Sequence, residues 1–251
     1  MISVVPITQS GHKNKFWQRF TSYRFAENEY LVPLAAAEIS KAVHAMPMAF
    51  VRQENRFMLV GLLSLTPGKN RFVDQAGKWL GKYVPACFRG YPFGVARMAD
   101  KDDLILCVDE NAGLISDTSG EPIFDDQGNL SGPIQEIMTF LSRIRKNREK
   151  TDQAVAALAD AGLMAPWPPD AEKGLVHHIE GLYKVDEAKL NSLGDEVFLG
   201  LRRSRSLVVA YAQLLSMENI HVFDALAKIR DRVKETRMDT GFLNDDMISF
   251  D

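Results

Sequence analysis

The chain has no run of 18 apolar residues, so it encodes no helix able to span a bilayer unaided. Its longest apolar stretches, Phe57–Leu65 and Leu207–Leu215, are far too short. The first twenty residues lack the charged, apolar and small-residue succession of a cleaved secretory signal. These absences lead to the expectation of a soluble, cytoplasmic protein. A cell-surface location would need an export route that ignores the N-terminus, and the acidic-apolar end 245–251 is the candidate signal for it.

A dominant charge sign is lacking too. Thirty basic and 33 acidic residues leave a net charge of −3 and a pI near 6.0, too weak a field to gather nucleic acid or an anionic membrane. The one dense basic run, Arg143, Arg145, Lys146, Arg148 and Lys150, reads as the solvated face of a helix. A nucleic-acid stripe would need aromatic or further basic partners, so no nucleic-acid partner is expected.

Cysteine is scarce. Cys87 and Cys107 lie in different predicted elements with no CxxC between them, which excludes a zinc ribbon and leaves two free thiols as the simplest reading. Arg89 close to Cys87 raises the alternative of an activated thiolate, but no histidine lies nearby in sequence to complete a nucleophile. Ser204 and Ser206 stand in a basic turn, outside any GxSxG. No phosphate-binding glycine motif occurs, and in Arg89-Gly90-Tyr91-Pro92-Phe93-Gly94 bulky rings and a proline separate the glycines. His177-His178 is the only adjacent histidine pair, and neighbours on a strand point to opposite faces. Asp125-Asp126-Gln127-Gly128-Asn129 lacks the ligand spacing of a calcium loop. No metal and no cofactor is expected.

What is present is an ordinary globular composition, with 46% hydrophobic and 25% charged residues in 251, enough to bury a real core. Residues 1–28 form an aromatic arm with Phe16, Trp17, Phe20, Tyr23 and Phe25. Pro33 is expected to open a helix through Met46. Strands follow at Met48–Arg52, Phe57–Leu65, Arg71–Asp74, Trp79–Val84, Leu104–Val108 and, at an edge, Glu121–Phe124. Gly132-Pro133 starts a long helix that Gly162 ends, with a break near Asn147 considered because about 30 residues is long for a small domain. Val176–Val185 reads as a strand, Asp186 and Asp195 as helix caps, Leu207–Leu215 as a buried helix and Ser216 as the cap of a last helix. Strands before helices make the class α+β, with a β-rich N-terminal half and a helical C-terminal half. The expected organisation is a β-rich lobe at 1–130, a helical lobe at 131–238 packed on it, and a loose acidic tail at 239–251.

The densest unusual feature is aromatic. Trp79, Tyr83, Phe88, Tyr91 and Phe93 fall within fifteen residues, interleaved with Lys82, Arg89 and Arg97. Part of this set is core, and the rest offers an aromatic and cationic pocket or a partner-binding face. Asp109-Glu110, just past a strand, either lines a cleft or makes a surface turn.

Several segments resemble one family. They are Val32-Pro33-Leu34 with Glu38, Phe50-Val51-Arg52, Asn70 with Phe72-Val73-Asp74, Gly77-Lys78-Trp79, Tyr83-Val84-Pro85-Ala86 and Tyr91-Pro92-Phe93. Cys107-Val108-Asp109-Glu110, Glu121-Pro122-Ile123-Phe124, Gly181-Leu182-Tyr183-Lys184-Val185-Asp186-Glu187 and Tyr211-Ala212-Gln213-Leu214-Leu215-Ser216 complete the set. In order and spacing they resemble the SapC family of bacterial proteins, from about residue 25 to 228. The resemblance implies a link to a surface-array (S-layer) system and brings no catalytic residue or cofactor with it. Two readings follow. One is a non-enzymatic binding or assembly factor with a protein partner. The other is a ligand-binding or enzymatic domain with a cleft in the β-rich half. The candidate binding residues are Arg52, Asp74, Trp79, Tyr83, Arg89, Tyr91 and Asp109.

Overall fold

A computed structural model describes residues 4–97, 103–168 and 179–230. It is an α+β fold whose strands all pair antiparallel. The first half runs β1 (Val4–Pro6), α1 (Gln9–His12), β2 (Phe16–Trp17), β3 (Leu31–Pro33), α2 (Ile39–Ala42), β4 (Met48–Gln53), β5 (Arg56–Leu62), α3 (Ala86–Arg89), β6 (Phe93–Arg97), β7 (Leu104–Asp109), β8 (Ile115–Ser116) and β9 (Glu121–Pro122). The second half runs α4 (Gly132–Asp160), β10 (Met164–Pro166), β11 (Leu182–Val185), α5 (Glu187–Asn191), α6 (Asp195–Arg203) and α7 (Ser206–Ser216). Residues 222–230 are helical as well.

The hairpin β4–β5 is the centre of a five-stranded sheet ordered β10-β11-β4-β5-β3. Its apolar runs are continuous because both faces are covered. Met48, Phe50 and Leu59 enter the largest core, while Ala49, Val60 and Leu62 enter a second one with Trp167, Leu182 and Ile220. The two smaller sheets, β1-β7-β6 and β8-β2-β9, flank a third core around Trp17, Phe93, Val108 and Ile123.

Helix α4 ties these parts together. At 29 residues it is about 44 Å long. Ile134 and Leu141 serve the third core, and Ala154, Val155 and Leu158 serve the largest. It does not break at Asn147. There the Thr151 hydroxyl donates to the Asn147 carbonyl at 2.7 Å and also accepts the Ala36 N–H at 2.7 Å, so a polar side chain inside the helix is satisfied on both sides. Gly162 closes the helix at a φ of 70°, as expected of a C-terminal stop.

Several local expectations are corrected. Pro33 ends β3 rather than opening a helix, because Leu31 and Val32 pair with Leu62 and Gly61. Only a 3-10 turn over 36–38 and the four-residue α2 follow it. Segments 71–74 and 79–84 are not strands and share a single bridge, Val73 to Trp79. The Trp79 indole N–H donates to the Tyr83 carbonyl at 2.9 Å, curling the second segment onto itself. Gly194, not Asp195, is the N-cap of α6. Ser216 stands at the N-cap position of the 3-10 turn Met217–His221 that leads into the helix at 222–230, as expected, but its side chain makes no capping bond there. It is buried at the end of α7, accepting the Met48 N–H at 2.9 Å and donating to the Gln213 carbonyl. Strand β11 begins at Leu182, and residues 176–178, with His177 and His178, lie outside the described residues, as does the tail 239–251.

Candidate functional site

The site begins at a buried carboxylate. Glu38 ends the 3-10 turn between β3 and α2 and is 4% exposed. Its Oε2 accepts the Ala35 N–H at 3.0 Å, the reach-back of a helix-capping glutamate. Its Oε1 faces the loop before α3 and accepts two bonds at 2.7 Å, from the Tyr83 hydroxyl and from the Ala86 N–H. Ala86 opens α3, so that N–H would otherwise have no intrahelical partner. One carboxylate therefore clamps two segments 45 residues apart.

Arg89 stands on this clamp. Its Nη2 donates to the Tyr83 hydroxyl at 3.2 Å. Its guanidinium lies 5.7 Å from the Tyr83 ring centre and 5.4 Å from that of Phe140 on α4. The side chain is exposed, so the two rings hold a cation in place at the surface. Burial raises the Tyr83 phenol well above its ordinary range. The hydrogen bond and charge of Glu38 add to the rise, and Arg89 opposes it in part. Tyr83 is thus a neutral phenol that donates to Glu38 and accepts from Arg89. Chemically, the arrangement fixes the position of a guanidinium.

Beside Arg89 the chain lays down rings in two layers. Trp79 and Phe88 are buried, with Trp79 packed 5.2 Å from Phe72 and 5.9 Å from Phe88. Phe20, Tyr23, Phe25 and Tyr91 lie above them and are only half-buried. Tyr91 stacks on Phe25 at 3.9 Å and 7°. Phe20 meets Phe25 and Tyr23 edge-on at 5.2 and 5.3 Å. The loop reaches this position because Gly90 lies against α4, where a Cβ would stand 2.6 Å from a Leu141 methyl. A cis peptide joins Tyr91 to Pro92.

Five of the seven candidate residues fall in this region. Trp79 is core, Tyr83 is in the clamp, Arg89 and Tyr91 face outward, and Asp109 lies at the end of β7. Asp109 is buried and caps the 110–112 turn by accepting the Asn111 N–H at 3.1 Å. Its own N–H donates to the Pro92 carbonyl at 3.0 Å. The Tyr91 phenol is raised first by burial and then by the Asp109 charge. The other two stand apart. Arg52 is exposed on β4 with its guanidinium 6.0 Å from the Phe57 ring centre. Asp74 shapes a turn, its Oδ1 accepting the N–H groups of Ala76 and Lys78 at 2.8 Å. Glu38, Phe20, Phe25 and Phe140 belong to the site and were not among the candidates. Of these, Glu38 had a signal as one of the residues carrying the family resemblance, Phe20 and Phe25 had one as members of the aromatic arm, and Phe140 had none.

The other candidate chemistries find no support. Cys87 and Cys107 are free thiols. Burial, with the Glu38 charge adding, pushes the Cys87 thiol up to about 12 against the opposing pull of Arg148, so the activated thiolate is overturned. Asp125 accepts the N–H groups of Gln127 and Asn129 in an exposed turn. Among the described residues no group of three His, Cys, Asp or Glu side chains is placed to hold a metal ion, and no helix is long and apolar enough to cross a membrane.

The fold and the clamp define an α+β protein built around a buried glutamate that presents an arginine and a set of rings. The SapC family model matches residues 7–222, and the chain belongs to that family. The match starts earlier than the resemblance in the sequence and includes β2 and the aromatic arm. No curated protein and no solved structure gives a significant match.

Proposed function

We propose that the protein is a non-enzymatic binding or assembly factor whose recognition face is formed by Arg89, Tyr91, Phe20 and Phe25. One observation carries this reading: an exposed guanidinium held between two rings stands beside a half-buried aromatic set that includes the Phe25–Tyr91 stack. Arginine and tyrosine dominate binding energies at protein interfaces, and a cation fixed before binding loses little entropy on meeting its partner. The chemistry fits a protein segment that offers a carboxylate to Arg89 and apolar side chains to the rings. The link of the family to surface-layer systems makes assembly or export of a layer protein the setting, with this chain acting from the cytoplasmic side.

The test uses Arg89→Ala and Tyr91→Ala with overlapping peptides from the proteins encoded beside this chain, followed by fluorescence anisotropy. Both variants are expected to keep Tm within about 2 °C of wild type. Carboxylate-bearing peptides are expected to bind the wild type and to lose about tenfold in affinity with either variant. If no such peptide separates wild type from Arg89→Ala, the face is not a recognition surface. If both variants lose roughly 5 °C or more, these residues serve the fold. Either result overturns the reading.

A further inference from the structure

Helix α7 carries more apolar surface than the core uses. Val209, Ala210, Ala212, Gln213 and Ser216 face inward. Val208, Tyr211 and Leu215 are 60%, 43% and 70% exposed. Their spacing of three and four residues puts them on one stripe of the helix. At its N-terminal end the stripe runs into a groove of about 690 Å³ between α4, the 36–38 turn and the α6–α7 connection. Ala154, Val208 and Val209 give it an aliphatic lining, and Lys150, Arg203 and Arg205 give it three cations. No acidic residue lines it, and among the described residues none of the three cations is in an ion pair.

This groove is positive and apolar on a chain whose net charge is negative, so its complement is an acidic and apolar segment. The chain contains one. Residues 239–251 hold four of the 33 acidic residues and none of the 30 basic ones, together with Phe242, Leu243, Met247, Ile248 and Phe250. Reach does not limit the pairing. Arg230 ends the described part, and the chain beyond it can extend about 70 Å, against a radius of gyration of roughly 18 Å for a domain of this length.

We propose that residues 239–251 dock on this face of their own chain, with aspartates against Lys150, Arg203 and Arg205 and apolar side chains against Val208, Tyr211 and Leu215. Tethering supplies an effective concentration in the millimolar range. A contact with a dissociation constant of only ~0.1 mM as a free peptide would then be about nine-tenths occupied. Another acidic segment competing for the groove would bind the intact chain about tenfold more weakly than a chain whose tail cannot dock.

The test uses the full-length protein. A carbodiimide joins carboxylates directly to lysine amines in contact with them, and the products are read by peptide mass spectrometry. The expected result is coupling of Asp239, Asp245, Asp246 or Asp251 to Lys150 within the monomer band. It should fall at least about fivefold in Arg203→Glu/Arg205→Glu and in Val208→Asp/Leu215→Asp. A full-length variant with Phe242, Leu243 and Ile248 changed to serine should lose the coupling and bind an added fluorescein-labelled 239–251 peptide about tenfold more tightly than wild type. Circular dichroism and Tm confirm that each variant is folded. Coupling to Lys82, beside the Arg89 face, instead of Lys150 overturns the proposal. So does coupling confined to a dimer band, which would place the tail on a second copy. Equal binding of the labelled peptide to wild type and the serine variant also overturns it.

Discussion

Removing the Glu38 carboxylate should be among the most damaging single changes in the protein. Glu38→Ala leaves three donors without their acceptor: the N–H groups of Ala35 and Ala86 and the Tyr83 hydroxyl. Each buried donor left unpaired costs about 1–3 kcal/mol. Local relaxation recovers part of that, so a total near 3–5 kcal/mol is expected, the range for breaking a buried charged network from one side. For a chain of this size that lowers Tm by about 6–20 °C. Glu38→Gln keeps the shape but turns an NH₂ group toward donors, and should cost about 2–3 kcal/mol. Tyr83→Phe removes one donor and leaves the carboxylate with its two N–H partners, costing about 1 kcal/mol. Urea unfolding followed by tryptophan fluorescence is a suitable assay, since the Trp79 indole is bonded to the Tyr83 carbonyl. The predicted ranking is Glu38→Ala, then Glu38→Gln, then Tyr83→Phe. A Glu38→Ala protein within about 1 kcal/mol of wild type would refute the clamp as the organising contact of this region.

Gln213→Leu should destabilise by about 2–4 kcal/mol in the same assay, because Gln213 accepts the Val185 N–H at 2.9 Å and donates to the Met48 carbonyl at 3.2 Å; an unchanged midpoint would refute its role as a bridge between β11 and β4. Gly90→Val should cost about 1–3 kcal/mol by forcing a side chain into Leu141, read as a fall in Tm, and a neutral result would mean the loop can move away from α4. Alkali should weaken the fold: Tyr83 and Cys87 hold their protons more tightly folded than unfolded, so their contribution is intact below pH 9 and lost as pH rises, the Cys87 part ending near pH 12. The urea midpoint should fall from pH 9 to 10.5, less steeply in Cys87→Ala, and a flat profile would contradict the burial of these groups. At pH 8 Cys87 should react with a disulfide reagent on the order of a thousandfold more slowly than free cysteine, as timed by the absorbance of the released thiolate.

The strands most legible in the sequence are those with a sustained apolar run, whereas β6, with two small residues in five, is missed although it pairs with β7 close along the chain. The β4–β5 hairpin needs only a short link, and both runs are apolar away from the exposed turn end because both faces are covered there. β7 likewise appears as an uninterrupted apolar run. The segments 71–74 and 79–84 have the same local composition, yet they meet through a single bridge rather than a ladder, and one carbonyl is taken by an indole. Pro33 shows the limit from the other side. Proline is as acceptable at the edge of a sheet as in the first turn of a helix, and the pairing of Leu31 with Leu62 selects the sheet. The α7 run illustrates a third case, since apolar residues at eight of the nine positions 207–215 conceal which face lacks a covering partner.

Composition and local pattern were sufficient for the α+β class, the absence of a membrane-spanning helix, the long helix with its glycine stop and the concentration of rings and guanidinium groups between residues 79 and 97. These properties depend on counts and on short-range periodicity, which a linear chain displays directly. Only the tertiary structure decided which rings sink into the core and which remain at the surface, and that Glu38, Tyr83, Ala86 and Arg89 share one hydrogen-bonded cluster. Burial and bonding between residues 45 apart depend on how the chain closes its loops, and no local signal distinguishes a glutamate bound for the interior from one that stays in water.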